Sequence, residues 1–470
     1  MQKTTYKVRV HEIEARKNKH GKVTSYRVRW SVAGEVWKEP FKNFAQADAY
    51  RSALVTATRN GESFSITTGK PVSWERDDRA DMSWYDFACR YVDMKWKPAA
   101  ARYRGDIARA LTAATPAMLA TERGRPDDAK LRAAMQRWGF NTKNRDHAPD
   151  DVAAILRWLS ENTKPVSALA EPATARALLD AATSRVDGKK VAATSARKHR
   201  MLLANAMDYA AELKLLDGNP IRELKWRPAR TSGEVDRRRV VNHAQARALL
   251  DAVRKQEPSG PHLAAFFAVM YYAALRPEEA VNIRRNDITL PLLVKDEGTE
   301  QLCEPANGWG EIVVRKSAPF AGRDWTDDGA LREERSLKHR AEDETRPVPC
   351  TPELTRILRK HLAQFSSGPD GRVFYGVRGG ELPNITYRRA WRRARKDALS
   401  ADQVASPLAE RPYDLRHACV STWLNAGVPA PQVAEWAGHS VEVLLKVYAK
   451  CIVGQDEAAK RRITDALNDQ

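Results

Sequence analysis

Tyr413-Asp414-Leu415-Arg416-His417, then Gly438-His439-Ser440, then Tyr448 bring an arginine, a histidine and a tyrosine into one C-terminal stretch of a basic chain. Upstream, Ala274-Leu275-Arg276-Pro277-Glu278-Glu279 adds a second arginine. Two guanidiniums can clamp the non-bridging oxygens of a phosphate, and they stay charged at any usable pH. A tyrosine hydroxyl can attack phosphorus and keep the bond energy as a phosphotyrosine. These are the parts for breaking a DNA phosphodiester without a metal.

In this respect the chain resembles the tyrosine recombinases, the phage integrase family. The pieces that carry the resemblance are Leu275-Arg276-Pro277-Glu278-Glu279, Tyr413-Asp414-Leu415-Arg416-His417, Trp436-Ala437-Gly438-His439-Ser440 and Tyr448. Their order fits, and so does the step of nine residues from His439 to Tyr448. The match covers residues 240–470; the N-terminal half matches in layout only.

Composition points the same way. The formal net charge of +19 over 470 residues favours a polyanionic partner, and nucleic acid over membrane. No stretch approaches the ~18 apolar residues of a spanning helix, and Met1–Tyr6 lacks the apolar core of a signal peptide. Cys89, Cys303, Cys350, Cys419 and Cys451 are widely spaced with no C-x-x-C pair, which argues for a reducing cytoplasm and against a zinc site or disulfide frame. Cys451, near Tyr448, reads as a bystander thiol.

Residues 1–74 read as a three-stranded sheet followed by one helix. Tyr6–Ile13 and Thr24–Val32 are strand-like, Glu35–Phe44 follows a turn, and Ala45–Arg59 has helical spacing. Tyr26, Val28, Trp30 and Val32 share one strand face, while Arg27 and Arg29 share the other. With 14 Lys and Arg against 6 Asp and Glu, the segment suits a sheet that enters a major groove. The resemblance implies an arm-type DNA-binding domain here. A charged linker, 75–81, leads to residues 82–221, which read as all helical and resemble a core-binding domain. Its last helix opens with Arg197, Lys198 and Arg200, placed for phosphate contact. Residues 222–241 read as a mobile basic linker ending in Arg237-Arg238-Arg239.

Residues 242–470 form the third segment and, by resemblance, the catalytic domain. The expected fold class is α+β, mainly α: a small N-terminal sheet with a helix, a helical domain, and a mostly helical catalytic domain with a small sheet. Asn242 is placed to cap a helix. An apolar helix, Leu263–Leu275, ends at Arg276, behind a buried stem where an arginine needs an anion. Ion pairing with Glu278 or Glu279 is the structural alternative.

The resemblance assigns roles. Arg276 and Arg416 bind the scissile phosphate and stabilise the pentacoordinate transition state. Tyr448 is the nucleophile and leaves a 3′-phosphotyrosine with a free 5′-hydroxyl. His439 donates to a non-bridging oxygen or assists Tyr448. The family places a general-acid lysine on a β-hairpin between the arginines; strand-like Glu311–Arg315 and returning Thr345–Pro349 make Lys338 the first candidate and Lys316 the second. The family usually has histidine where this chain has Tyr413, so Tyr413 reads as a phosphate ligand, since a phenol cannot shuttle a proton near pH 7. His417 reads as structural. No metal or cofactor is called for.

The implied function is integration of a mobile element by strand exchange through a Holliday junction. The expected partners are double-stranded DNA attachment sites, a homotetramer on that DNA, and an excisionase or DNA-bending host factor. The setting is the cytoplasm, at the nucleoid. Alternatives are a dimer resolvase of the same chemistry and a catalytically silent DNA-binding protein. A metal-dependent transposase lacks its Asp/Glu set. The C-terminal tail carries Ile452, Val453, Ala459, Ile463 and Leu467 at helical spacing and needs an apolar dock, in cis or on a neighbouring subunit.

Overall fold

The computed structural model describes residues 4–17, 19, 22–74, 82–184, 191–227, 233–295, 302–338, 340–451 and 456–468. The charged linker 75–81, linker residues 228–232, and Ile452 and Val453 lie outside them. The protein is α+β and mainly α. It divides into two compact units, residues 1–99 with 106–229 and residues 100–105 with 230–470. Among the described residues no helix is long and apolar enough to cross a membrane.

In the first unit, β1 (Val8–Val10), β2 (Glu14–Lys17), β3 (Val23–Val32) and β4 (Glu35–Phe41) precede α1 (Phe44–Arg59). The central β3 pairs antiparallel with β4 on one edge and with β1 and β2 in turn on the other. The expected strand Tyr6–Ile13 is therefore shorter, and the edge is completed by Glu14–Lys17. Alternation along β3 buries Val28, Trp30 and Val32 against Ala47, Leu54 and Ala57 of α1. Arg27 and Arg29 lie on the other face, where both reach Glu14, at 3.9 and 2.7 Å.

A short strand pair, Thr4–Thr5 with Phe64–Ser65, accompanies the sheet, and helices follow: α2 (Trp84–Trp96), α3 (Ala101–Ala114, whose first residues count with the second unit), α4 (Asp128–Ala134), α5 (Asp150–Asn162), α6 (Pro172–Thr183) and α7 (Ala193–Glu212). Residues 82–221, expected to be all helical, are mainly so, with turns and loops between the helices. Only α4, too short to show a period, escapes the sequence reading. Lys198 on α7 is paired with Asp106. Arg200 donates to the Ile221 carbonyl at 3.0 Å and lies over the Trp226 ring. Arg197 is exposed.

The second unit is built on α8 (His243–Arg254) and α9 (Gly260–Tyr272). Asn242 caps α8: its side chain accepts from Gln245 N at 2.9 Å, and the Gln245 side chain accepts from Asn242 N at 3.0 Å. Leu263, Phe266, Phe267 and Met270 of α9 are fully buried, each burial contributing roughly 1.5–3 kcal/mol. A helix apolar on all sides belongs inside, and α8, α10 (Pro352–Gln364) and α12 (Asp414–Asn425) pack around it. Strands β5 (Gly310–Val314) and β6 (Arg346–Cys350) pair antiparallel, with Ile288–Thr289 on the far side of β5. Then come α11 (Asn384–Ala398), α13 (Ala430–Ala437), α14 (Val441–Tyr448) and α15 (Asp456–Asn468). Buried Trp391 and Arg395 of α11 hold the loop before α12 by donating to the Ala409 and Leu408 carbonyls, at 2.8 and 3.0 Å. The arginine triplet forms a tight turn, Arg237–Arg239, in place of the expected extended linker. Arg239 is held by Glu410 at 2.8 Å and Arg238 by Asp236 at 2.7 Å, which replaces extension by local pairing. Arg237 stays exposed.

Candidate active site

An open cavity of about 1180 Å³ in the second unit is lined by Arg276, Lys338, Tyr413, His417, His439 and Tyr448, among others. Five separate segments of the chain deliver them. The apolar helix α9 stops at Tyr272, not at Leu275 as the sequence suggests, because Ala274 takes a left-handed φ of 52°. That conformation costs a residue with a Cβ on the order of 1 kcal/mol. Its carbonyl is the acceptor for Arg416 Nη1.

Arg276 then opens the short helix Pro277–Ala280. Its Nη1 donates to Glu279 Oε1 at 2.6 Å and its Nη2 to the Gly438 carbonyl at 2.7 Å. The structural alternative, an ion pair with Glu279, is thus present, while the side chain still faces the cavity. Glu279 is shared. Arg346 on β6 donates to both its oxygens, at 3.1 and 2.7 Å, from a position 1 % exposed. Burial by itself would raise the Glu279 carboxyl, but the guanidiniums of Arg346 and Arg276 outweigh it and hold the group well below the usual carboxylate range.

Gly438 ends α13 with φ 65°, and the backbone N–H of His439 returns to the Ala434 carbonyl at 2.9 Å. This is the glycine helix stop that fixes where the next side chain points. A Cβ at Gly438 would meet Arg346 Nη1 at 2.2 Å, so the position also needs glycine for space. His439 Nε2 lies 2.8 Å from Arg416 Nη2. A guanidinium only donates, so Nε2 accepts and the His439 proton sits on Nδ1. That buried Nδ1 has no partner among the described residues. Burial, then Arg416 and Arg276, push the His439 imidazole down to about 3, so it is neutral.

Arg416 has no exposed surface. Besides Ala274 O and His439, it donates to the Ala437 carbonyl at 2.5 Å. It stands behind the cavity wall, where it holds His439 and charges the site from within. One residue further on a helix turns the side chain by about 100°. His417 therefore faces elsewhere, and its Nδ1 lies 2.9 Å from Tyr448 Oη. The structural reading of His417 is compatible with this contact, which also sets the ring beside the candidate nucleophile. Tyr413, one turn earlier, sets its ring edge-on to His417 at 5.1 Å.

Ser440 caps α14 by accepting from Val443 N at 3.2 Å, and the helix carries Tyr448 at its end. Tyr448 is 0 % exposed although it forms part of the cavity wall. Burial raises its phenol. A phosphate can meet Oη only once the wall opens around it. Val235 N, just before the arginine triplet, donates to the Val447 carbonyl at 2.9 Å and ties that segment to α14.

Lys338 is exposed and lines the cavity; Lys316 is exposed and does not. An antiparallel bridge between Ser317 and Arg335 closes off residues 318–334, so Lys338 follows as if they were absent. Sequence reasoning missed Arg346, whose partner Glu279 lies 67 residues away, beyond any local spacing signal. It also missed the exposed basic stripe of α11: Arg388, Arg389, Arg392, Arg393 and Lys396. Their i, i+4, i+8 recurrence was readable.

No protein-family model matches the chain, and neither does any curated protein. Among solved structures the chain is similar to the Tn1549 transposon integrase in complex with a circular intermediate DNA, at 12% identity and TM-score 0.44, over 72% of this chain and 99% of that one. It is similar to the XerH site-specific recombinase bound to difH substrate, at 12% identity and TM-score 0.42, over 77% and 95%. It is also similar to a lambda integrase dimer bound to a COC′ core site, at 13% identity and TM-score 0.43, over 91% of each chain. Likeness at this level carries no argument about chemistry, which rests on the residues.

Proposed function

We propose that the protein is a site-specific DNA recombinase of the tyrosine type, acting as the integrase of a mobile element. The observation that carries this reading is one cavity lined by Arg276, Lys338, His439 and Tyr448, with Arg416 immediately behind His439. Tyr448 attacks the scissile phosphorus, Arg276 holds a non-bridging oxygen, and His439 donates its unpaired Nδ1–H to the phosphate. Donors already placed around developing charge contribute about 3 kcal/mol each. The product is a 3′-phosphotyrosine with a free 5′-hydroxyl, and rejoining needs no external energy. Wild-type protein with a pool of nicked duplexes of randomised sequence should leave a DNA adduct that survives denaturation. No adduct on any duplex would sink the reading.

Two basic surfaces suit the DNA partner: the stripe on α11, and the sheet face of half-buried Arg27 and Arg29, where Arg9, Arg16 and Lys38 are exposed. A second reader favours an integrase over a dimer resolvase. Because Arg27 and Arg29 both engage Glu14, neutral replacement is a cleaner probe than charge reversal. Arg27→Gln with Arg29→Gln should weaken binding to arm-type DNA, flatten its salt dependence, and leave cleavage of a short core duplex nearly intact. Equal loss on both DNAs would show that the sheet is not a separate reader. Ile463 and Leu467 of α15 are 59 % and 72 % exposed, as suits a tail that docks on a second copy in a tetramer on DNA. An excisionase or DNA-bending host factor and a nucleoid setting complete the proposal.

Lys338 protonates the leaving 5′-oxygen. A bridging 5′-phosphorothiolate has a leaving group that needs little protonation. Lys338→Ala should therefore cleave normal DNA slowly, on the order of 100-fold down, and recover much of its rate on the sulfur substrate. Arg276→Ala should not recover, because its defect is lost charge stabilisation. Recovery of Lys316→Ala, with Lys338→Ala near wild type, would move the role to Lys316.

A further inference from the structure

We propose that His417 is the general base of the cleavage step, accepting the phenolic proton of Tyr448 on Nδ1. The assignment rests on the recombinase reading above and deepens it. The donor and acceptor are already 2.9 Å apart, within the reach that proton transfer requires. Oη–H donates and Nδ1 accepts, which leaves the imidazole proton on Nε2.

The other groups at hand are disqualified by their own bonds. The Nε2 lone pair of His439 already accepts from Arg416, so what His439 offers is a donor. Tyr413 is a phenol and cannot take a proton from another phenol near neutral pH. Arg416 is a permanent cation. Among the described residues His417 is the imidazole whose Nδ1 stands within hydrogen-bond distance of the nucleophile. Helix α12 thus carries its proton acceptor one turn beyond Tyr413.

The groups around His417 keep its lone pair free at the cost of basicity, which a seated phosphate must restore. Burial, then Arg416, then Arg239, push its imidazole down to about 4, so it is neutral before reaction. A phosphate seated in the cavity adds negative charge beside it and raises its proton affinity at the moment of attack. In the balanced step Tyr448 Oη bonds to phosphorus as its proton moves to His417 Nδ1. The P–O5′ bond breaks, and O5′ takes a proton from Lys338. In rejoining, the 5′-hydroxyl attacks, the tyrosyl oxygen leaves, and His417 returns the proton; the neighbouring guanidiniums favour that return.

The test uses full-length protein and a duplex selected from the randomised nicked pool by the wild-type adduct. His417→Asn keeps an acceptor near the Nδ1 position but cannot take a proton. Its adduct should form on the order of 100-fold more slowly, with DNA affinity and thermal unfolding near wild type. Placing 3,5-difluorotyrosine at 448, whose phenol releases its proton more readily, should restore at least about tenfold of that loss. The same substitution should not help Arg276→Ala, and the 5′-phosphorothiolate should not help His417→Asn. Wild-type rate in His417→Asn, or a slow rate that the fluorinated phenol leaves unchanged, overturns the assignment. Nitrogen-15 NMR of unaltered protein supplies a readout that no variant's folding can obscure: an Nδ1–H tautomer at His417 overturns the assignment, and Nε2–H supports it. Absence of any wild-type adduct overturns the recombinase reading together with this one, whereas a wild-type adduct matched by His417→Asn overturns this one alone.

Discussion

Tyr448→Phe should bind the selected nicked duplex as wild type does and form no denaturation-stable adduct. The change removes one oxygen. The ring stays in its pocket with Leu444, Val420 and Leu424, part of one buried cluster, and loses only the bond to His417. Deleting a buried hydroxyl costs about 1 kcal/mol, so the fold survives. The chemistry does not, because the nucleophilic atom is gone. Cys451 is the nearest thiol in sequence. It is 6 % exposed and burial raises its thiol, so it offers little thiolate as a substitute. Gel separation of labelled DNA after denaturation decides the matter. An undiminished adduct in Tyr448→Phe would rule out Tyr448 as the nucleophile.

Glu279→Ala should destabilise the second unit by about 3–5 kcal/mol, because it leaves Arg346 as a buried cation without its anion. Arg346 is 1 % exposed and gives two hydrogen bonds to Glu279. Arg276 loses its Nη1 partner at the same stroke, so adduct formation should fall as well. Urea unfolding measures the first effect; a loss below about 1 kcal/mol would mean that the triad is not what fixes Arg346. The pH dependence separates this pair from the histidines. The Glu279 carboxyl is depressed from its ordinary 4.5, so its contribution is full above that pH and is lost only as pH falls further. His417 and His439 are depressed from 6.5 to about 4 and about 3. The unfolded chain binds their protons first, so wild-type stability should decline as pH falls from 6.5 towards 4. Glu279→Ala should show the same slope over that window from a lower start. A wild-type curve flat from pH 7 to 4 would refute the buried neutral histidines.

The sequence by itself determined the mainly helical α+β class, the alternation of β3 and the cap of α8, and it marked out Arg276, Arg416, His439 and Tyr448 as the candidate set. Those features are local, a period, a cap residue or a short motif, although the motif of Arg276 stands far upstream of the one that holds Arg416, His439 and Tyr448. Tertiary structure alone decided what each residue faces. Arg276 and Arg346 share Glu279 across 67 residues, a pairing that no spacing rule could announce. Arg416 reads as an open phosphate clamp, yet it is buried behind His439 and gives hydrogen bonds to two carbonyls. The sequence ranks Lys338 before Lys316 by its place ahead of the returning strand, and the closing of residues 318–334 by the Ser317–Arg335 bridge is what sets Lys338 at the cavity. His417 looked structural because a histidine after an arginine carries no signal by itself. Its contact with Tyr448, 31 residues away, follows from burial of apolar side chains of α12 and α14 in one cluster and is written in no single stretch of the chain.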